Sequence, residues 1–150
     1  MPSSDDIPLI FSSPARVRKI ELRQFLADLT RNVTRGRSIS CLITGDAELR
    51  RLNKTFRRKD YATDVLSFPS ASAGDSAGDL AISIDRARAQ AAEHRHSLEV
   101  ELRILMLHGA LHLAGMDHEK DAGEMARAET RWRKRLKLPT GLIERTVRTK

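Results

Sequence analysis

The sequence predicts an α+β fold: a single small domain with a mixed sheet of about four strands, packed by about five helices. Three observations carry this. Apolar residues recur at helical spacing in several separate segments. Short apolar or alternating runs bounded by turn residues lie between those segments. The stretch from Ile104 to Ala114 is nearly continuous in apolar residues, interrupted by His108, Gly109 and His112. A helix apolar on all sides is a central one, so this stretch is expected to run through the core. A length of 150 residues suits one domain, 1–150, with a real hydrophobic interior.

The elements follow in order. Ile7 to Phe11 is a short apolar run suited to a first strand. Ser12 and Ser13 before Pro14 read as a helix start, with serine able to cap and proline suited to the first helical position. A helix is therefore expected over about residues 14 to 33, with Val17, Ile20, Phe25, Leu29 and Val33 on its apolar side. Ser38 to Thr44 reads as a buried strand, and Asp46 is placed to cap a second helix whose apolar positions are Leu49, Leu52 and Phe56. Val65 to Phe68 is a short strand stopped by Pro69, and residues 70–78 are small and polar, as in a mobile loop. Leu80, Ile82 and Ile84 alternate with Ala81, Ser83 and Asp85, the period of a half-buried strand.

Asp85 can cap a third helix running to about Arg95, and Ser97 opens the fourth, which carries the apolar stretch. Asp121 with Glu124 resembles a capping box for a last helix, whose stripe is Met125, Ala128, Trp132 and Leu136 and whose end is set by Pro139. Beyond it, residues 139–150 read as a basic, mobile tail.

Composition bounds the function. With 40% apolar and 31% charged residues the chain is an ordinary globular protein. No apolar run is long enough to span a bilayer and the N-terminus lacks the features of a secretory signal, so a cytoplasmic protein with no membrane partner is expected. The one cysteine, Cys41, excludes an internal disulfide and sits in an apolar run, as a small core residue does. The net charge of +7 is uneven. Arg131, Arg133, Lys134, Arg135, Lys137, Arg145, Arg148 and Lys150 face Glu144 alone, and a second cluster holds Arg50, Arg51, Lys54, Arg57, Arg58 and Lys59. Such clusters favour polyanions such as RNA, or are solvated helix faces and a frayed tail.

The chemistry lies in His108-Gly-Ala-Leu-His112-Leu-Ala-Gly115-Met-Asp-His118. Residues four apart share a helix face, and Gly115 can end the helix in a left-handed conformation that swings His118 back. Three imidazoles can then close on one divalent metal. Histidine nitrogens suit zinc, three ligands leave a fourth position open, and zinc lowers the pKa of its water to about 7. Structural zinc sites favour several cysteines, and this chain has Cys41 alone. The spacing matches the metzincin protease pattern except that Gly109 stands where those enzymes carry a glutamate base. Gly109 lets another element or a substrate approach, or serves helix packing only. Asp117 reads as a turn residue. His94 and His96 read as solvated residues at a helix end, and Asp64 and Asp79 as loop caps at strand starts.

Three blocks together resemble the YbeY-type endoribonucleases, also called rRNA maturation factors. They are Phe56-Arg57-Arg58-Lys59-Asp60 with Thr63-Asp64-Val65-Leu66-Ser67-Phe68-Pro69, then Gly78-Asp79-Leu80-Ala81-Ile82-Ser83, then His108 through His118. The resemblance implies a zinc site made by His108, His112 and His118, and a metal-dependent RNase specific for single strands. It implies work on ribosomal RNA, particularly the 3′ end of the small-subunit RNA, and in ribosome quality control. RNA and the ribosome or its proteins are then the partners, and DNA is not. The family's important arginine falls on Arg57, while Arg58 stands where many relatives have glycine. Two other readings stay open at this point: a minimal zinc peptidase, and a non-catalytic ribosome-assembly factor with structural zinc.

Overall fold

The computed structural model describes residues 9–71 and 74–148. In chain order these form β1 (Leu9–Phe11), α1 (Lys19–Asn32), β2 (Ser38–Thr44), α2 (Asp46–Arg57), β3 (Val65–Pro69), β4 (Ser76–Ser83), α3 (Ile84–Glu93), α4 (Leu98–Leu113), α5 (Glu124–Arg135) and α6 (Leu142–Arg148). The sheet order is β1-β2-β4-β3, with β1, β2 and β4 parallel and β3 antiparallel at the edge. The mixed α+β architecture is thus the one predicted, with a sixth helix among the described residues. None of those helices is long and apolar enough to cross a membrane.

Strand periodicity sorts the side chains into two layers. Ile39, Cys41 and Ile43 of β2 and Leu80 and Ile82 of β4 enter the main core with Leu22, Leu26 and Leu29 of α1 and Leu102 and Leu105 of α4. Leu66 and Ala81 form a smaller cluster with Leu49 of α2. Cys41 lies in the main core, where burial pushes its thiol up to about 12, so it is unreactive at neutral pH.

Several boundaries differ from expectation because partners come from across the fold. The first helix begins at Lys19, not near residue 14. Ser12 continues the strand path by donating its N–H to Ile43 O at 3.0 Å, so neither serine caps. The stripe rotates with it: Leu22 and Leu26 are buried, while Ile20 is exposed. Ile7 lies outside the described residues. β4 starts at Ser76, which takes three residues from the expected loop, and it is buried on both faces apart from Ser76 and Asp79 because α2 and α4 pack against it. Of that loop, residues 72–73 lie outside the described residues.

The expected caps of α2 and α3 trade places. Asp46 is already helical, and its N–H donates to Asp85 Oδ2 at 2.8 Å. Ser83, not Asp85, caps α3 by accepting the Arg86 N–H at 3.1 Å, and its hydroxyl donates to Asp46 Oδ1 at 2.6 Å. Ser97 caps α4 as predicted, accepting the Val100 N–H. Phe56, an expected apolar contact of α2, is exposed and meets Phe68 edge-on at 5.4 Å.

The largest revision is at the C-terminal end. The segment read as a tail carries α6, and Arg145 is buried against Glu101 of α4 with two bonds of 2.9 and 2.7 Å. His96 joins the same carboxylate at 2.6 Å with a side chain only 11% exposed, so it is not the solvated residue expected. Nearby, Arg133 of α5 forks onto Glu144. Two of the arginines read as a polyanion surface are therefore structural.

Removing one member of a buried pair strands the other charge, which costs about 3–5 kcal/mol. Arg145→Ala is therefore expected to lower the stability of the fold by several kcal/mol. Arg145→Met with Glu101→Leu is expected to recover most of it, as read by denaturant unfolding.

Candidate metal centre

The site begins with the burial of α4. His108 sits in its most enclosed stretch, 6% exposed, and an imidazole there needs partners for both nitrogens. Its Nδ1 meets Glu129 Oε2 at 2.7 Å, and that carboxylate, on α5, is itself 1% exposed. The other oxygen of Glu129 accepts the Ile143 N–H of α6 at 2.7 Å, which fixes the orientation of the group.

His112 is held by the helix end. Leu113 is the last helical residue and Ala114 the C-cap, and Gly115 follows with a φ of 97°. The N–H of Gly115 donates to His112 O at 3.0 Å and that of Met116 to Leu111 O at 3.1 Å, the paired bonds of a glycine-terminated helix. This turn aims Met116 O back at His112 Nδ1, 3.0 Å away. The same reversal brings His118 to the cluster, with ring centroids 5.3 Å from His108 and 5.4 Å from His112. Asp117 is a turn residue as read, its carboxylate accepting the Glu119 N–H at 3.1 Å.

These partners decide the tautomers. A carboxylate and a carbonyl both accept, so Nδ1 of His108 and of His112 carries the proton and each neutral ring presents a bare Nε2. The two Nε2 atoms face each other at 3.2 Å. Two lone pairs at that distance repel unless a proton or a cation lies between them. Burial, and next the neighbouring charge of His108, hold the His112 pKa below the ordinary histidine value, which disfavours the proton. His118 adds a buried Nδ1 with no hydrogen-bond partner. One candidate ligand atom from each ring lies within 4.8 Å of the others. Nitrogens bound to one zinc at about 2.0–2.1 Å in a tetrahedral arrangement lie about 3.3 Å apart, so the donor set fits a small divalent metal.

The histidines open into a cavity of about 450 Å³ whose wall includes Arg57, Asp64, Ser67, Asp117 and Leu142. Arg57 is the last residue of α2 and lines this cavity, whereas Arg58 does not. Arg58 adopts a left-handed φ of 57°, a conformation that glycine takes up more readily than arginine. Arg50 and Arg51 of the same cluster are paired with Asp60 and Glu48. Asp64 accepts the Val65 N–H and the Gln90 side chain, as a loop cap, and Asp79 accepts the Ser40 hydroxyl.

Gly109 turns away from the cavity: a Cβ there would lie 2.6 Å from Leu80 Cδ2 of β4. It allows α4 to approach the sheet, which settles its alternatives in favour of packing, and a side chain at this position would point into the core. The expected capping box does not form: α5 begins at Glu124, and its N-cap is Gly123, which has no side chain to accept a bond. Asp121 accepts the N–H groups of Gly123 and Met125, while Glu124 accepts that of Ala122. Glu129 was absent from the sequence reading. Its signal is a carboxylate beside Ala128 and four residues after Met125, on the stripe that packs inward.

Two outcomes follow from this geometry. Glu129→Gln removes the charge behind His108 and is expected to weaken zinc binding on the order of 10–100-fold, as measured by chelator competition. The lowered His112 pKa also has a definite sign. Between its folded value and about 6.5 the unfolded chain binds the extra proton, so the stability of metal-free protein rises with pH across that window. Below the folded value the contribution is lost in full. Titration of the His112 ring by NMR checks it, with a midpoint below that of a free histidine expected.

Comparison with known proteins agrees with this construction. Residues 13–137 match the family model described as endoribonuclease YbeY. A protein from Solibacter usitatus named endoribonuclease YbeY is 60% identical over 133 residues, covering 89% of each chain. Another of that name from Koribacter versatilis is 59% identical, covering 73% of this chain and 72% of its own. A solution structure of a Thermotoga maritima protein superposes with a TM-score of 0.61 at 26% identity, covering 83% of this chain and 85% of the other. With the family model spanning nearly the whole described fold, and its histidine motif folded into one cluster, the chain belongs to the YbeY endoribonuclease family.

Proposed function

We propose that this protein is a zinc-dependent endoribonuclease acting on single-stranded RNA. Its substrate in the cell is ribosomal RNA, at the 3′ end of the small-subunit RNA, in maturation and quality control of ribosomes. Its partners are the ribosome and ribosomal proteins, and its place of action is therefore the cytoplasm. The observation that carries this reading is the pair of converging Nε2 lone pairs in a cavity walled by Arg57.

His108, His112 and His118 would hold the metal, with Glu129 and Met116 O fixing the first two rings. Zinc, when bound, supplies Lewis acidity and a nucleophile at neutral pH. Arg57 contributes a guanidinium to the same cavity and makes no ion pair among the described residues. It binds a non-bridging phosphate oxygen and offsets the charge that grows on the phosphorus centre during cleavage. The glutamate base of the metzincin pattern has no counterpart here, since position 109 is glycine and faces Leu80 and not the cavity.

The test uses metal-assayed protein and defined single-stranded RNA. Wild type is expected to cleave it and to leave unstructured peptides and duplex RNA intact. Arg57→Ala is expected to keep its zinc and lose on the order of 10²–10³ in rate. His112→Ala is expected to lose metal and cleavage together. Peptide cleavage with intact RNA, or RNA cleavage that survives both substitutions, overturns the proposal.

A further inference from the structure

Part of the basic surface is used by neither the metal centre nor the α6 ion pairs. Across the Gly115–Met116 turn from the histidines lies a second groove of about 470 Å³. Met116 lines both cavities, so they adjoin at this residue. Arg35 and Arg37, which follow α1, and Arg131 and Trp132 of α5 line this groove, and no described Asp or Glu does.

Two of these arginines are exposed and the third is held in place. Arg35 and Arg131 are exposed, and neither makes an ion pair among the described residues. Arg37 donates to Gly74 O at 3.2 Å and to Ser76 O at 3.0 Å, which holds its guanidinium between α1 and β4. Trp132 is half-buried, and the Arg135 guanidinium lies 5.0 Å from the centre of its ring. Arginines with no facing carboxylate form an anion site. An indole in the same groove adds a flat partner for an unpaired base. A duplex keeps its base faces stacked inside, and runs of Asp or Glu offer carboxylates without an aromatic ring to stack. The combination fits a single-stranded polynucleotide.

We propose that this groove is a second RNA subsite. Arg35, Arg37 and Arg131 hold backbone phosphates of nucleotides flanking the metal centre, and Trp132 contacts one of their bases. The identity of the strand as RNA rests on the ribonuclease reading. The groove then supplies affinity and single-strand preference at a distance from the cleaved bond, which explains why a compact metal pocket can select an unpaired chain.

Trp132 is the one tryptophan of the chain, so its fluorescence reports on this groove alone. Full-length protein with chelator present to prevent cleavage is titrated with a short oligouridylate across a range of salt. The expected result is quenching of indole emission on binding. Arg35→Ala with Arg131→Ala is expected to weaken binding about 10-fold and to reduce the slope of log affinity against log salt by about 1.4, two contacts at about 0.7 each. Zinc content, measured separately, is expected to stay at the wild-type level.

Unchanged affinity and salt slope in the double variant, or binding without quenching, overturns the subsite. Polyglutamate that binds as tightly as the oligonucleotide overturns its assignment to RNA in favour of an acidic protein. Wild type that binds RNA in the groove but never cleaves it supports the subsite and overturns the ribonuclease reading instead.

Discussion

The burial of α4 along Ile104 to Leu111 sets the terms for most of this structure. A helix enclosed on every side must have each polar side-chain atom answered by another element, because an unpartnered one costs free energy comparable to a lost hydrogen bond. Glu101 is answered by Arg145 of α6 and by His96, and His108 by Glu129 of α5. His112 is answered by the turn that ends α4 itself. Once these three demands are met, the positions of α5, α6 and the Gly115 turn are largely determined.

The metal centre is what that arrangement leaves over. Both Nδ1 atoms are used for support, so both Nε2 atoms are free and are forced together at 3.2 Å. A site built this way is preorganised, with a repulsion that a bound cation would relieve. The last helix takes part at one remove, since Ile143 N–H and Leu142 place α6 against Glu129 and at the cavity wall. A C-terminal segment with the composition of a solvated tail thus holds the support of a ligand.

The basic residues divide into three roles that composition cannot separate. Arg133 and Arg145 fasten helices together, and Arg50 and Arg51 pair with neighbouring acids. Arg57 enters the metal cavity, and Arg35, Arg37 and Arg131 surround the groove behind the turn. A uniform surplus of charge would attract a polyanion without orienting it. The placement seen here puts cations on both sides of Met116 and leaves Arg50, Arg51, Arg133 and Arg145 out of either cavity.

What the sequence determined by itself was local. The i, i+4 histidines with a glycine three residues on specify a helix face and its termination, and strand alternation specifies which residues enter the core. Those features depend on neighbours in the chain, so α4, Ser97, Gly115, β2 and the mixed α+β class were legible. Tertiary structure alone decided the partners: Asp85 for the start of α2, Glu129 for His108, Arg145 for Glu101, and Leu80 for the glycine at 109. Each joins residues far apart in the chain, and the residue type is silent about which distant group will face it. Only the packed fold turns a carboxylate on an inward stripe into the support of a metal ligand, because only there is it dry and opposite an imidazole.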